Sequence, residues 1–259
     1  MRRLTWGLLL ALALLLTALV AAPAEWLTAR LASASGGRLL AYETTGPWWA
    51  GRTRLALADP GNPRAAPMLL PGQVAWRIAG LSLSPLALRL AVTAPGLSSA
   101  PLGVQVSPAV SGVTVALSGW QARLPLGLLE GFGAPWNTLG LTGTLLWQHE
   151  ELILESSTSA TNLKGRGTLQ ILSAESSVSP VRPLGTYRVD WTGDERGLQF
   201  RLHTDSGPLV LEGDGAVAGG RLRFTGTAKA APGYEEALAS LLSIIGRREG
   251  DVMRLRVSS

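Results

Sequence analysis

Tyr187-Arg188-Val189-Asp190-Trp191, a turn from Thr192 to Gly197, then Leu198-Gln199-Phe200-Arg201-Leu202-His203: this stretch decides the fold. Apolar residues alternate in it with charged or polar ones. Successive side chains of a strand point to opposite faces, so period-two alternation marks a sheet with one dry and one wet face. Val189, Trp191 and Phe200 fall on the dry face, and Arg188, Arg201 and His203 on the wet one. Leu209-Val210-Leu211-Glu212 and Leu222-Arg223-Phe224-Thr225 extend the pattern and add Arg223 to the wet face. Such a row of arginines is explained by solubility without any binding role.

Strand signals recur toward the N-terminus, punctuated by Gly, Pro, Asp and Ser. They cover residues 38–44, 53–58, 73–78, 86–93, 103–107, 113–118, 139–147, 152–156 and 167–172. Gly-Thr pairs at Gly143, Gly167, Gly185 and Gly226 read as strand starts. Their uneven spacing speaks for a hairpin meander rather than a solenoid. Gly213 to Ala218 matches a loose dinucleotide fingerprint. That motif must open a helix after a strand, whereas this one runs through Gly219-Gly220 toward another strand and reads as a hairpin turn.

One helix interrupts the sheet near its end. From Tyr234 to Ile245, Leu238, Leu241, Leu242 and Ile245 recur at helical spacing. Glu235 and Glu236 occupy its first turn, and Arg247 and Arg248 follow its end, both matched to the helix dipole. Gly246 reads as its C′ residue. The apolar stripe suits a lid on one end of the sheet, and a last strand follows from Val252 to Val257.

At the other end of the chain, Arg2 and Arg3 precede an uncharged run from Leu4 to Ala22. As a helix that run spans roughly 28 Å, close to a bilayer's hydrocarbon core. Leu4, Trp6, Leu14 and Leu19 carry this anchor, and Trp26 would sit at the lipid–water interface. Glu25 to Leu31 reads as the same helix continuing past the membrane. A cleaved signal competes, with Ala22-Pro23-Ala24 as its cleavage site. The run exceeds the usual signal core of about 7–15 residues, which favours the uncleaved anchor. Arginines before the helix favour an inside N-terminus, so either reading exports residues 23–259.

Composition narrows the chemistry. The 259 residues include no cysteine, so disulfides, thiolate zinc sites and cysteine nucleophiles are excluded. The 23 basic residues outnumber the 18 acidic ones, but they do not cluster as a nucleic-acid-binding face requires. The two histidines, His149 and His203, read as lone surface residues. No nucleophile, base or metal constellation emerges. The expectation is a non-catalytic protein with no cofactor, no metal and no nucleic-acid partner.

The anchor, then Gly46-Pro47-Trp48-Trp49-Ala50-Gly51, then Pro71-Gly72-Gln73-Val74-Ala75-Trp76 stand in an order that resembles type II secretion system protein N, also called general secretory pathway protein N. Pro183-Leu184-Gly185-Thr186-Tyr187 through Trp191, Gly207-Pro208-Leu209 to Gly213, and Ile245-Gly246-Arg247-Arg248 continue the likeness. The resemblance implies residues 1–3 in the cytoplasm, a transmembrane helix over 4–22, and a periplasmic antiparallel, curved β-sheet domain over 23–259 with one C-terminal amphipathic helix. It implies an accessory part of the machine that moves folded proteins across the outer membrane, in contact with other type II secretion components and the inner membrane. Gly46, Trp49, Gly51, Trp76, Trp191, Gly207, Gly213 and Gly246 are then structural, the glycines freeing turns and the tryptophans filling the core beneath.

A rival reading has another function. Long one-sided sheets also resemble the periplasmic β-grooves of AsmA-type and TamB-type lipid carriers, whose apolar face holds acyl chains. Alternation alone leaves a closed core and an open groove equally possible. Trp191, Phe200 and Phe224, with the helix from Tyr234, favour a mostly closed face, in which charges at Val189, Phe200 or Leu211 would unfold the domain.

Overall fold

Alternating β-patterned segments joined by tight turns pair mostly with their neighbours, and together they form one antiparallel, curved, open sheet. The computed structural model describes residues 6, 14, 17, 20–62, 66–110, 112–132, 136–157, 161–249 and 252–258. After a helix α1 (Glu25–Ala34) come β1 (Leu39–Thr45), β2 (Ala50–Leu57), β3 (Met68–Leu69), β4 (Val74–Leu83), β5 (Leu86–Thr93), β6 (Leu102–Ala109), β7 (Gly112–Leu117) and β8 (Trp120–Pro125). Two short helical turns, Leu126–Phe132 and Trp136–Leu139, lead into β9 (Leu141–His149), β10 (Leu152–Ser157), β11 (Thr161–Ser176), β12 (Gly185–Asp194), β13 (Gly197–Ser206), β14 (Leu209–Ala218) and β15 (Arg221–Ala230). Helix α2 (Glu235–Ile245) precedes β16 (Arg247–Glu249) and β17 (Val252–Ser258).

Long strands join the two halves of the sheet. β7 runs on into β8, and β9 into β10, so that β7 pairs with β10 while β8 pairs with β9. β11 pairs with β10 through Thr161–Lys164 and with β9 and β12 beyond. At the two joints the apolar positions change parity, from Leu117 to Trp120 and from His149 to Leu152. This is what an extra residue in a strand does, and it keeps one apolar face continuous from β4 to β17.

The expected C-terminal helix forms and acts as a lid. Leu238 and Leu241 are buried against Leu139, Leu184 and Leu209. Each buried leucine contributes roughly 1.5–3 kcal/mol. Beside this cluster, Leu126, Ala174 and Tyr187 form a second one. Tyr187 is buried and donates its hydroxyl proton to the Leu209 carbonyl (3.0 Å), and burial pushes its phenol pKa up. Tyr187→Phe leaves that carbonyl unpaired and should cost about 1–2 kcal/mol in a denaturant melt. Since the folded state holds this proton more tightly, its contribution is complete below about pH 10 and fades as pH rises further. The wild-type domain should therefore lose more stability in alkali than the Phe variant.

Several local expectations are corrected. Gly213 to Ala218 is not a turn but the second half of β14, and Gly219-Gly220 makes the turn. Gly213 and Gly215 sit beneath aromatic rings, so they serve close packing rather than chain reversal. Of the Gly-Thr pairs, only Gly185 starts a strand. Gly246 is no left-handed C′ residue: its backbone is extended (φ −152°) and leads straight into β16, so Arg247 and Arg248 belong to a strand. His149 is not on the surface but 3% exposed at the end of β9. Its Nδ1 lies 2.5 Å from the Glu150 carbonyl, its ring packs 5.3 Å from Trp147, and its Nε2 has no partner among the described residues. Pairing opposite Trp120 and Gly167 draws it onto the apolar face. Alternation in Leu145, Trp147 and His149 is the signal that could have placed it there.

Candidate functional site: the helix clamp and the apolar face

Two features built by the sequence motifs stand out. The first is a clamp on the start of the folded domain. Residues Trp6, Leu14, Thr17, Val20 and Ala21 are helical, while Leu4 and Leu19 lie outside the described residues. Among the described residues no helix is long and apolar enough to cross a membrane. The helix does not continue through Glu25 as expected. It is interrupted at Ala22 to Ala24, where Pro23 forms an isolated bridge with Pro47. Trp48 N–H donates to the Ala22 carbonyl (3.0 Å), and Ala24 N–H donates to the Gly46 carbonyl (3.0 Å). Those bonds pull the chain out of helical register before α1 begins.

The motif residues form the jaws of this clamp. Gly46 has φ +93°, and a side chain there would run into the Ala50 carbonyl at 2.5 Å, so glycine alone fits. Trp49 does not fill a core. It is 41% exposed and donates its indole N–H to the Val20 carbonyl (3.0 Å), tying the turn to the preceding helix. Trp76 is the buried partner: its indole N–H donates to the Trp48 carbonyl (2.8 Å), and its ring lies flush on Gly51. Ala24, fully buried, closes the same space from the other side. Trp26 is 68% exposed on α1 and borders an open apolar cleft shared with Ala22, Leu27 and Trp48.

The same pairing of glycine and aromatic recurs across the second half of the sheet. Trp191 packs on Gly167, and Phe224 on Gly213 and Gly226. Phe200 covers Gly215 and stacks on Phe224, with centroids 5.9 Å apart. A ring lying on a bare strand supplies the packing that the glycine lacks. Gly207, at φ +127°, lets its turn approach Leu184 and Gly185.

The second feature is the apolar face itself, which is closed at one end and open at the other. Under α2 it is a buried core. Trp191 is buried, whereas Val189, Phe200, Leu211 and Phe224 are only partly so. On β5–β7 the positions Leu88, Leu90, Val104, Val106 and Val115 are all partly exposed. Leu81, Leu83, Leu86 and Val113 are exposed outright. The expectation of a mostly closed face holds at the lid and fails on this half, because α2 packs over the C-terminal strands.

The opposite face carries charge, as expected. Arg188 meets Asp205 (3.3 Å) and Arg201 meets Asp214 (2.8 Å), while His203 lies between Asp190 and Asp205. Exposed pairs of this kind contribute little to stability.

A family model described as type II secretion system (T2SS), protein N matches residues 38–256. That span contains every motif strand and the α2 lid. No curated protein and no solved structure matches the chain.

Proposed function

This chain belongs to the type II secretion system protein N family, and from that membership we propose that it is a non-catalytic accessory component of the secretion machine. Residues 4–22 anchor it in the inner membrane, with residues 1–3 in the cytoplasm and residues 23–259 in the periplasm. There it supports the passage of folded proteins across the outer membrane, in contact with other secretion components. The observation that carries this reading is the clamp. Trp49, Trp48 and Gly46 hold residues 20–24 by three hydrogen bonds, and Ala24 is locked under Trp76. A rigid joint between an apolar N-terminal segment and a sheet is what a fixed periplasmic platform requires. Trp26, exposed just past the joint, fits the interfacial preference of tryptophan.

Deleting the gene should leave exoproteins folded in the periplasm and lower their release into the medium. Fractionation followed by an exoprotein activity assay measures this. Retention of the exoproteins in the cytoplasm would sink the proposal.

The open half of the apolar face supports a second reading, a groove that takes acyl chains. Its residues sit on one side of four neighbouring strands, β4 to β7, and are partly or fully exposed there. This reading concerns what the sheet holds and is compatible with a role in secretion.

A further inference from the structure

The exposed apolar residues are not scattered over the open half. Leu81, Leu83 and Leu86 flank the β4–β5 turn, and Leu83 pairs directly with Leu86. Val110 lies in the β6–β7 turn, and Val113 follows it. Leu83 is 79% exposed. Soluble surfaces rarely gather such residues without a partner.

Strand pairing shows which way these tips point. Ala50, the first residue of β2, pairs with Arg77, and Thr53 pairs with Val74. The clamped turn before Ala50 therefore lies toward the Leu83 end of β4. Leu88 pairs with Val106, which places the β6–β7 turn at that same end. The β4–β5 tip extends six residues past Arg77, roughly 20 Å further in that direction. So the tips reach at least as far along the anchor side as the joint with the N-terminal segment does.

The charge around the tips points to the same partner. No Asp or Glu occurs between Asp59 and Glu130. Arg77 and Arg89 are exposed on β4 and β5 and pair with no carboxylate among the described residues. Arg89 lies three residues behind Leu86, about 10 Å from the tip, where a lipid headgroup would meet it if the leucines entered the acyl region. Arginine behind an apolar tip is the arrangement of an interfacial contact with anionic lipid.

We propose that the β4–β5 and β6–β7 turns dip into the bilayer surface beside the anchor, with Leu81, Leu83, Leu86, Val110 and Val113 in lipid and Arg89 at the headgroups. This rests on the anchored reading given above. It adds a second membrane contact, which fixes the tilt of the sheet and opens its exposed apolar face directly onto the membrane.

The absence of cysteine allows a clean test. Leu83→Cys, Val110→Cys and Ser99→Cys variants of the full chain are labelled with an NBD fluorophore. They are then reconstituted into phosphatidylethanolamine–phosphatidylglycerol vesicles containing brominated lipid. Ser99 lies in the β5–β6 connection at the far end of the same strands and serves as the reference. Probes at Leu83 and Val110 should be quenched at least about twofold more than at Ser99, with blue-shifted emission. Vesicles that float with the protein while all three sites quench alike overturn the dipping tips and leave the anchor standing. Protein that fails to float overturns the anchor and this inference with it. Protection of the tip probes by other secretion components in lipid-free detergent assigns the tips to a protein partner and overturns the inference.

Discussion

Leu238→Asp should unfold the lidded end of the sheet, while Leu86→Asp with Val113→Asp should leave the melt nearly unchanged. Leu238 is 0% exposed and packs among Leu139, Leu184, Leu209 and Leu241. A carboxylate buried among these leucines loses its hydration, so the loss should be about 4 kcal/mol or more. Leu86 and Val113 are exposed on the open half, and charges at such positions cost within about 1 kcal/mol. Thermal melts of the purified protein separate the two cases. The same double variant decides between the readings of the apolar face. A working groove loses its co-purifying lipid in that variant, read by mass spectrometry of the extract, although the domain stays folded. A large fall in its melting temperature would show the face to be core throughout.

Gly51→Val should be the most damaging change in the motif region. A Cβ at Gly51 runs into the Trp76 ring and meets the Ala24 methyl at 2.9 Å. Neither neighbour can yield easily. Trp76 is tied to the Trp48 carbonyl, and Ala24 to the Gly46 carbonyl. Overpacking at so tight a point costs about 3 kcal/mol, which lowers the melting temperature by about 6–12 °C for a domain of this size. The damage should concentrate at the joint. Proteolysis between Ala22 and Glu25 should therefore quicken in Gly51→Val before the rest of the sheet is cut. Trp49→Phe, which removes only the bond to the Val20 carbonyl, should loosen the joint and cost far less. Equal protection of the joint in Gly51→Val and wild type would refute the clamp.

Alternation alone determined that this is a one-faced antiparallel sheet, because strand side chains take sides strictly by parity. It assigned Val189, Trp191 and Phe200 to one face and Arg188, Arg201 and His203 to the other, and helical spacing from Tyr234 marked the lid. The order of Gly46, Trp49, Gly51 and Trp76, with the pieces from Pro183 to Gly213 and from Ile245 to Arg248, pointed to the family that the match over residues 38–256 shows. Parity says nothing of what lies over a face. Only the tertiary structure decided that α2 covers the C-terminal strands and leaves β4–β7 open, because cover comes from chain remote in sequence. It also placed His149 inside, where a polar residue next to two glutamates had looked solvated. And it turned Trp49 from a core filler into a donor to Val20, a bond formed only once the chain breaks its helix at Pro23 and folds residues 20–24 back onto the first hairpin.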